Sequence, residues 1–315
     1  MTEAADAVST SAVDSLIDAI QQGTLLGASK QILCVADLFC RLARSDSAGS
    51  GADIAAILRD AGERIIELRG HEAPAVADAI RYLLAGPQTP VDRDEWADAL
   101  CERAEALRTR IRKSQQDLAA CGATVLAVGR GPVIVFDYSS SVLSVLAMCA
   151  RNGHALQLVV PESRVLNGGV PIVAEALQQG HDVLFTADCA VGAYLPAARA
   201  VITGAEAILA DGSCINTVGS FAVALLAQYY RVPLYIVSDV SKLYEPSYHG
   251  HCRPLRERTP IGLAAVVPVD VAGHPKLAVV SPEVERVPAT FIAAYITDQG
   301  VIPPAAIYTV GHRQT

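Results

Sequence analysis

From Gly122 onward the chain alternates short Val- and Ile-rich runs with helical segments, and this alternation constrains the fold more than any other feature. The runs lie at 133–136, 156–160, 183–186, 200–203 and 234–237, with helical segments at 141–151, 170–179 and 220–230 between them. A strand that is apolar along its whole length needs cover on both faces. Strands that alternate with helices pair in parallel through crossovers. The second half is therefore predicted to be an open, mostly parallel, Rossmann-like α/β domain. The first half reads as helices. Apolar residues recur at helical spacing through 13–44 (Leu16, Ile17, Ile20, then Ile32, Val35, Phe39), with a break near Gly23–Gly27. Ser45–Gly51 reads as a loop, and Asp53 is placed to cap a helix running to about Leu68. Ala73–Leu84 is a further helix, Gly86–Pro90 breaks the chain, and Trp96–Ala120 forms a long amphipathic helix. The expected organisation is a helical domain over 1–120 followed by an α/β domain over 121–315.

A chain of 315 residues with 51% apolar content buries a full core, and 18% charged residues exclude global disorder. The net charge of −8 argues against a nucleic-acid surface. The longest uncharged stretch, Gly212–Tyr230, contains Asn216, Thr217 and Gln228, which fits a buried helix with a polar approach better than a membrane span. Met1–Thr10 has neither the basic nor the apolar region of a secretory leader, so the expected compartment is the cytoplasm. The eight cysteines include no Cys-x-x-Cys pair and read as reduced thiols.

In open α/β sheets, ligands bind beyond the carboxyl ends of the strands. That rule selects Asp137–Ser141, Glu162–Arg164, Asp188, Gly204–Glu206 and Ser238–Lys242. Ser139, Ser140 and Ser141 stand at a helix start, where hydroxyls either cap the helix or join free amides around a phosphate. Glu162 and Arg164 either pair with each other or leave the guanidinium to grip a phosphate. Asn216, Thr217, Gly219 and Ser220 lead into the uncharged helix, and the Gly219 and Ser220 amides at its positive end make a possible anion site. Lys242 adds a cation.

Other motifs fall away. Gly129-Arg130-Gly131-Pro132 precedes a strand instead of following one, and Pro132 lacks an N–H, so it is no dinucleotide fingerprint. There is no Walker A sequence and no Gly-x-Ser-x-Gly elbow. His249, His251 and Cys252 form the only cluster resembling metal ligands, and without a second pair they read as a solvated loop. Cys189 and Cys214 fall near the predicted cleft and read as buried, inert thiols. No metal and no cofactor is expected.

Taken in order, Val133–Leu143, Glu162-Ser163-Arg164, Asp188–Gly192, Gly204-Ala205-Glu206, Ile215–Gly219 and Tyr295–Gly300 followed by Pro303-Pro304 resemble the successive motifs of one superfamily. It contains the alpha, beta and delta regulatory subunits of initiation factor 2B and the isomerases of methylthioribose-1-phosphate and ribose-1,5-bisphosphate. The isomerases are described as using a cysteine at the end of the first α/β strand and an aspartate in a Gly-Ala-Asp motif. The resemblance places Tyr138 and Glu206 there, which is the alpha-subunit pattern. The family's Asn-Lys-Ile-Gly-Thr loop becomes Asn216–Ser220 and loses a cation. An unperturbed Tyr hydroxyl titrates near pH ~10 and replaces a thiol poorly in proton transfer.

The resemblance implies a ligand that is a phosphorylated pentose or nucleoside monophosphate, held by Tyr138, Ser139–Ser141, Glu162, Arg164, Asn216, Thr217, Gly219, Ser220 and Lys242. It also implies a homodimer or larger homo-oligomer. Two readings follow. In the first, the cleft binds without the usual isomerase mechanism and serves regulation or assembly. In the second, the chain is a divergent aldose–ketose isomerase acting on a pentose 1-phosphate, with Glu206 as base and Asp188 or Lys242 as its partner. A structural subunit with an empty cleft is the remaining option.

Overall fold

The computed structural model describes residues 2–45, 50–70, 73–86, 92–251, 257–258 and 261–312. Most of the expected loop at 45–51, most of the expected break at 86–90, and Cys252 lie outside the described residues. The chain divides into two compact units, Met1–Lys113 and Ser114–Thr315.

The first unit is built from α1 (Thr2–Gln21), α2 (Ala28–Ala43), α3 (Gly51–Arg69), α4 (Pro74–Leu83) and the amino-terminal part of α5 (Arg93–Leu126). The division between the units falls within α5, which continues to Leu126 because its helical pattern is unbroken past 120. The break between α1 and α2 carries Gly23 and Gly27 at φ 65° and 85°, a conformation that favours glycine. On α2 the buried residues Ile32, Val35, Ala36, Phe39 and Ala43 trace a 3.6-residue stripe. They meet Ile54, Leu58 and Ile65 of α3, Ile80 and Leu83 of α4, and Leu100 and Leu107 of α5 in one core.

The α3 cap differs from the expectation. Ser50, not Asp53, is the N-cap; the Ser50 Oγ accepts from Asp53 N, and Asp53 Oδ2 accepts from Ser50 N at 2.8 Å. Asp53 completes a reciprocal capping box from inside the helix. Replacing Ser50 with Ala is expected to cost about 1 kcal/mol in chemical denaturation. An unchanged midpoint would show that the box adds nothing.

The second unit opens with β1 (Val133–Phe136), α6 (Ser140–Arg151), β2 (Gln157–Pro161), α7 (Gly169–Gln178) and β3 (Asp182–Thr186). There follow β4 (Ala200–Thr203), β5 (Ala207–Leu209), β6 (Cys214–Thr217), α8 (Ser220–Tyr229), β7 (Leu234–Val237) and β8 (Leu243–Tyr244). A two-residue ribbon, β9 (Glu257–Arg258) with β10 (Ser281–Pro282), flanks α9 (Ile261–Ala264) in sequence. The chain ends with β11 (Val284–Val287), β12 (Ala294–Thr297), β13 (Gly300–Ile302) and α10 (Ile307–His312).

The main sheet runs β13-β12-β7-β4-β1-β2-β3, parallel except for β13. Counting its parallel strands in chain order gives 3-2-1-4-5-6, the doubly wound Rossmann order, so the chain reverses its winding between β1 and β4. Successive residues alternate between two cores. Ile134 and Phe136 pack with α8 residues Val223 and Ala224, whereas Val133 and Val135 pack with α6 residues Val142 and Val145. The strand at 183–186 departs from the expected two-sided burial. As the edge strand β3, it leaves Leu184 and Phe185 exposed.

A second sheet, β11-β6-β5-β8, went unforeseen. Its β5–β6 hairpin turns at the expected Asp211-Gly212. The uncharged stretch at 212–230 resolves into β6 and the short α8. Among the described residues, no helix is long and apolar enough to cross a membrane.

Candidate active site at the switch point of the sheet

Two strand ends meet where the winding reverses. β1 and β4 pair in parallel with Phe136 opposite Thr203, and the Thr203 hydroxyl donates to the Phe136 carbonyl at 2.8 Å. The next residue beyond β1 is Asp137; beyond β4 come Gly204, Ala205 and Glu206. A Cβ on Gly204 would lie 2.7 Å from Ser139 Oγ, so a bare backbone is what lets the two turns approach.

Asp137, which the strand-end rule selects only as the first residue of Asp137–Ser141, is the organising residue. Its backbone is left-handed (φ 61°), as is that of Ser163 (φ 49°) just past β2. The carboxylate accepts from Ser163 Oγ at 2.7 Å on one oxygen and from the Thr217 hydroxyl on the other. Gly168 packs so closely that a Cβ there would stand 2.1 Å from Asp137 Oδ1. Burial pushes the Asp137 carboxyl up to about 6; the Thr217, Ser163 and Tyr138 amide hydrogen bonds oppose the rise, and the charge of Glu206 adds to it.

This shift has a consequence for stability. The native state holds the Asp137 proton more tightly than the unfolded chain, so the group's contribution is full below about pH 4 and is lost as pH rises through 6. The wild type minus Asp137→Asn stability difference is expected to fall by roughly 2–3 kcal/mol between pH 4 and 7, from about 1.4 kcal/mol per pKa unit. Urea denaturation across that range measures it, and a pH-independent difference would return the carboxyl to its ordinary range.

The expected site residues divide by what they touch. Glu206 is half-buried at the β4 turn, beside Asp137. Lys242 is buried and donates from Nζ to the Ala205 carbonyl at 2.6 Å, so it braces the turn that carries Glu206. Asn216 donates from Nδ2 to Thr203 Oγ1 and to Ser220 Oγ, and Ser220 Oγ donates to the Thr217 carbonyl. This lattice seats Thr217 against Asp137. Asp188 works on the backbone: its two oxygens accept from Ser163 N and Arg164 N, each at 2.8 Å. That grip fixes the turn from which the Ser163 hydroxyl reaches Asp137. Glu162 and Arg164 form an ion pair, the first of their two readings. Ser139 Oγ caps α6 by accepting from Val142 N. Ser141 is buried, and Tyr138 and Ser140 are half-buried.

The helix start expected to hold an anion already has one. Glu285 of β11 accepts from Gly219 N at 2.6 Å and from Phe221 N at 2.8 Å, both on Oε1. The carboxylate sits at the positive end of α8, where the dipole and the unbonded amides favour it. The Gly219 amide is thus committed within the fold. Glu285 lies opposite Asn216 across the β6–β11 ladder, a pairing over a long stretch of sequence that no local signal announces.

The two cysteines part company. Cys214 is buried, with burial pushing its thiol up to about 12, which suits an inert core residue. Cys189 is exposed, contrary to expectation, because β3 is an edge strand and the turn after it is open. Among the described residues, no three His, Cys, Asp or Glu side chains gather as a metal site.

The initiation factor 2 subunit family matches residues 26–304, nearly the whole chain. The chain belongs to that family. Among curated relatives, the ribose 1,5-bisphosphate isomerase of Haloterrigena turkmenica is 27% identical over 259 residues, covering 80% of this chain and 78% of that one. The methylthioribose-1-phosphate isomerase of Pelotomaculum thermopropionicum is 27% identical over 226 residues, covering 68% and 62%. Among solved structures, the translation initiation factor eIF-2B of Pyrococcus horikoshii OT3 superposes with TM-score 0.74 at 19% identity, covering 92% of this chain and 97% of that one. The 5-methylthioribose 1-phosphate isomerase from the same organism gives 0.73 at 20% identity, covering 96% and 88%. At such identities the structures establish a shared fold. The family match and the curated relatives thus join this chain to proteins named as initiation factor 2 subunits and as sugar-phosphate isomerases.

Proposed function

We propose that this protein is an aldose–ketose isomerase acting on a pentose 1-phosphate, with Glu206 as the base. The observation that carries the reading is the pair of carboxylates at the switch point, Glu206 beside the buried Asp137. Converting an aldose to a ketose moves protons between adjacent carbons and oxygens, and two carboxyl groups in unlike environments supply the acid and the base. The relatives with isomerase names support turnover over binding alone. Tyr138 and Glu206, standing where the isomerases carry cysteine and aspartate, argue for binding without catalysis. That inference weakens once β1 is seen to end at Phe136, which leaves the carboxylate of Asp137 as the first side chain beyond the strand. Within the same reading, the phosphate sits at the start of α6 and draws Arg164 away from its ion pair with Glu162, and the working form is a cytoplasmic homodimer.

Incubation with ribose 1,5-bisphosphate and with methylthioribose 1-phosphate, followed by phosphorus NMR, tests the proposal. A ketose phosphate resonance is the expected result. Line broadening without product would overturn turnover on these substrates and restore the binding reading.

A further inference from the structure

We propose that Cys40 and Cys101 form a redox-active dithiol, a modification site that a small-molecule disulfide closes into a bridge between α2 and α5. Three features of the helical unit carry the inference. First, α2 and α5 lie antiparallel along one stripe, with an ion pair on either side of the cysteines. Asp37 pairs with Arg108 on one side, and Arg44 pairs with Asp98 at 3.0 Å on the other. Residues 37, 40 and 44 share one face of α2, and 98, 101 and 108 share one face of α5, so this register sets Cys40 opposite Cys101. Second, the two side chains meet in a thiol–thiol hydrogen bond. Third, each cysteine has an alanine four residues before it and three after: Ala36 and Ala43 on α2, Ala97 and Ala104 on α5, all buried. A disulfide needs Cα atoms about 4.4–6.8 Å apart, and methyl groups alone at the flanking positions leave room for two backbones to approach so closely. Both cysteines are half-buried free thiols at the edge of the core, within reach of a small reagent. No Cys-x-x-Cys spacing announces the pair, because its members come from different helices.

The surroundings give the two sulfurs an order. Burial holds the Cys40 thiol above its ordinary range, the hydrogen bond and charge of Cys101 add to the rise, and Arg108 opposes it. Cys40 therefore stays protonated at neutral pH, and Cys101 attacks first. Its thiolate breaks the S–S bond of the reagent, displaces one small thiolate and leaves a mixed disulfide on Cys101. That step removes the charge on Cys101 that helped to hold the Cys40 proton. Cys40 then ionises, and its thiolate attacks the Cys101 sulfur and expels the second small thiolate. Two protein thiols lose two electrons, the reagent's disulfide gains them, and the two protein protons end on the two released thiols. A dithiol reductant reverses both steps.

The test incubates the full-length protein with oxidised glutathione, blocks the remaining thiols with iodoacetamide under denaturing conditions, and maps the peptides by mass spectrometry. The expected result is a peptide pair joined through Cys40 and Cys101, two hydrogens lighter than the separate thiol peptides and released by dithiothreitol. Exposed Cys189 is the internal control and is expected to carry a glutathione adduct. Recovery of Cys40 and Cys101 as alkylated thiols, from protein glutathionylated at Cys189, overturns the proposal. Cys40→Ser is expected to stop at a glutathione adduct on Cys101; an unmodified Cys101 in that variant overturns the order of attack. Joining α2 to α5 closes a long loop in the unfolded chain, so the urea midpoint of the wild type is expected to rise by about 1 M on oxidation and to return on reduction. Cys101→Ser is expected to show no such rise, and an equal rise there assigns the effect to another cysteine and overturns the bridge. Should Cys101→Ser fail to fold, the wild-type peptide map decides alone.

Discussion

Replacing Glu206 with Gln is expected to lower kcat by about 10²- to 10⁴-fold while the substrate binds with nearly wild-type affinity. Gln has the same shape and keeps an oxygen that accepts hydrogen bonds, but it does not take up a proton from carbon at neutral pH. The backbone that carries it is insulated from the change. Glu206 N donates to the Ile215 carbonyl at 2.8 Å, and Lys242 holds the preceding carbonyl, so the turn has its own supports. The same exchange removes a negative charge beside Asp137 and so is expected to bring the Asp137 carboxyl down. Steady-state rates from phosphorus NMR, set beside binding by calorimetry, separate the two effects. A variant that loses affinity and retains kcat would make Glu206 a binding group, and the base would have to be sought elsewhere in the crevice.

The residues that were legible in the sequence are those whose cause is local. The five Val- and Ile-rich runs became strands because apolar, β-branched residues between turns have few alternatives, and their ends marked the crevice by a rule of topology. Ser139 was readable as a cap because capping depends on its own helix. What was missed depends on residues distant in sequence. Glu285 reaches the start of α8 only because β11 pairs with β6, and both are short strands of a sheet that composition does not announce. Asp188 reads from the sequence as an acid–base partner because it follows a strand. Its role as a clamp on two backbone amides appears only once the turn after β2 is beside it. Asp137 sits at the most visible strand end, but its burial and its neighbours come from four other segments and are not legible there.

The largest stability effect is expected from Phe39→Ala in the helical unit. Phe39 is wholly buried on α2 within the core shared by α3, α4 and the first part of α5. Close packing around it has a specific origin. A Cβ on Gly62 of α3 would stand 2.9 Å from both Ile80 Cγ2 and Leu84 Cδ1, so this glycine lets those two side chains close on α3, with the Phe39 ring in ordinary contact at 3.9 Å. Truncating the ring leaves a cavity that the three surrounding helices fill only in part, and Phe→Ala changes of this kind cost about 3–5 kcal/mol. Against a total domain stability of about 5–15 kcal/mol, that is a large fraction. Phe39→Leu keeps much of the volume and is expected to cost clearly less. Urea midpoints followed by circular dichroism, where the helices of this unit contribute strongly, give both values. A loss below about 1 kcal/mol for Phe39→Ala would mean that the surrounding helices close over the vacated space.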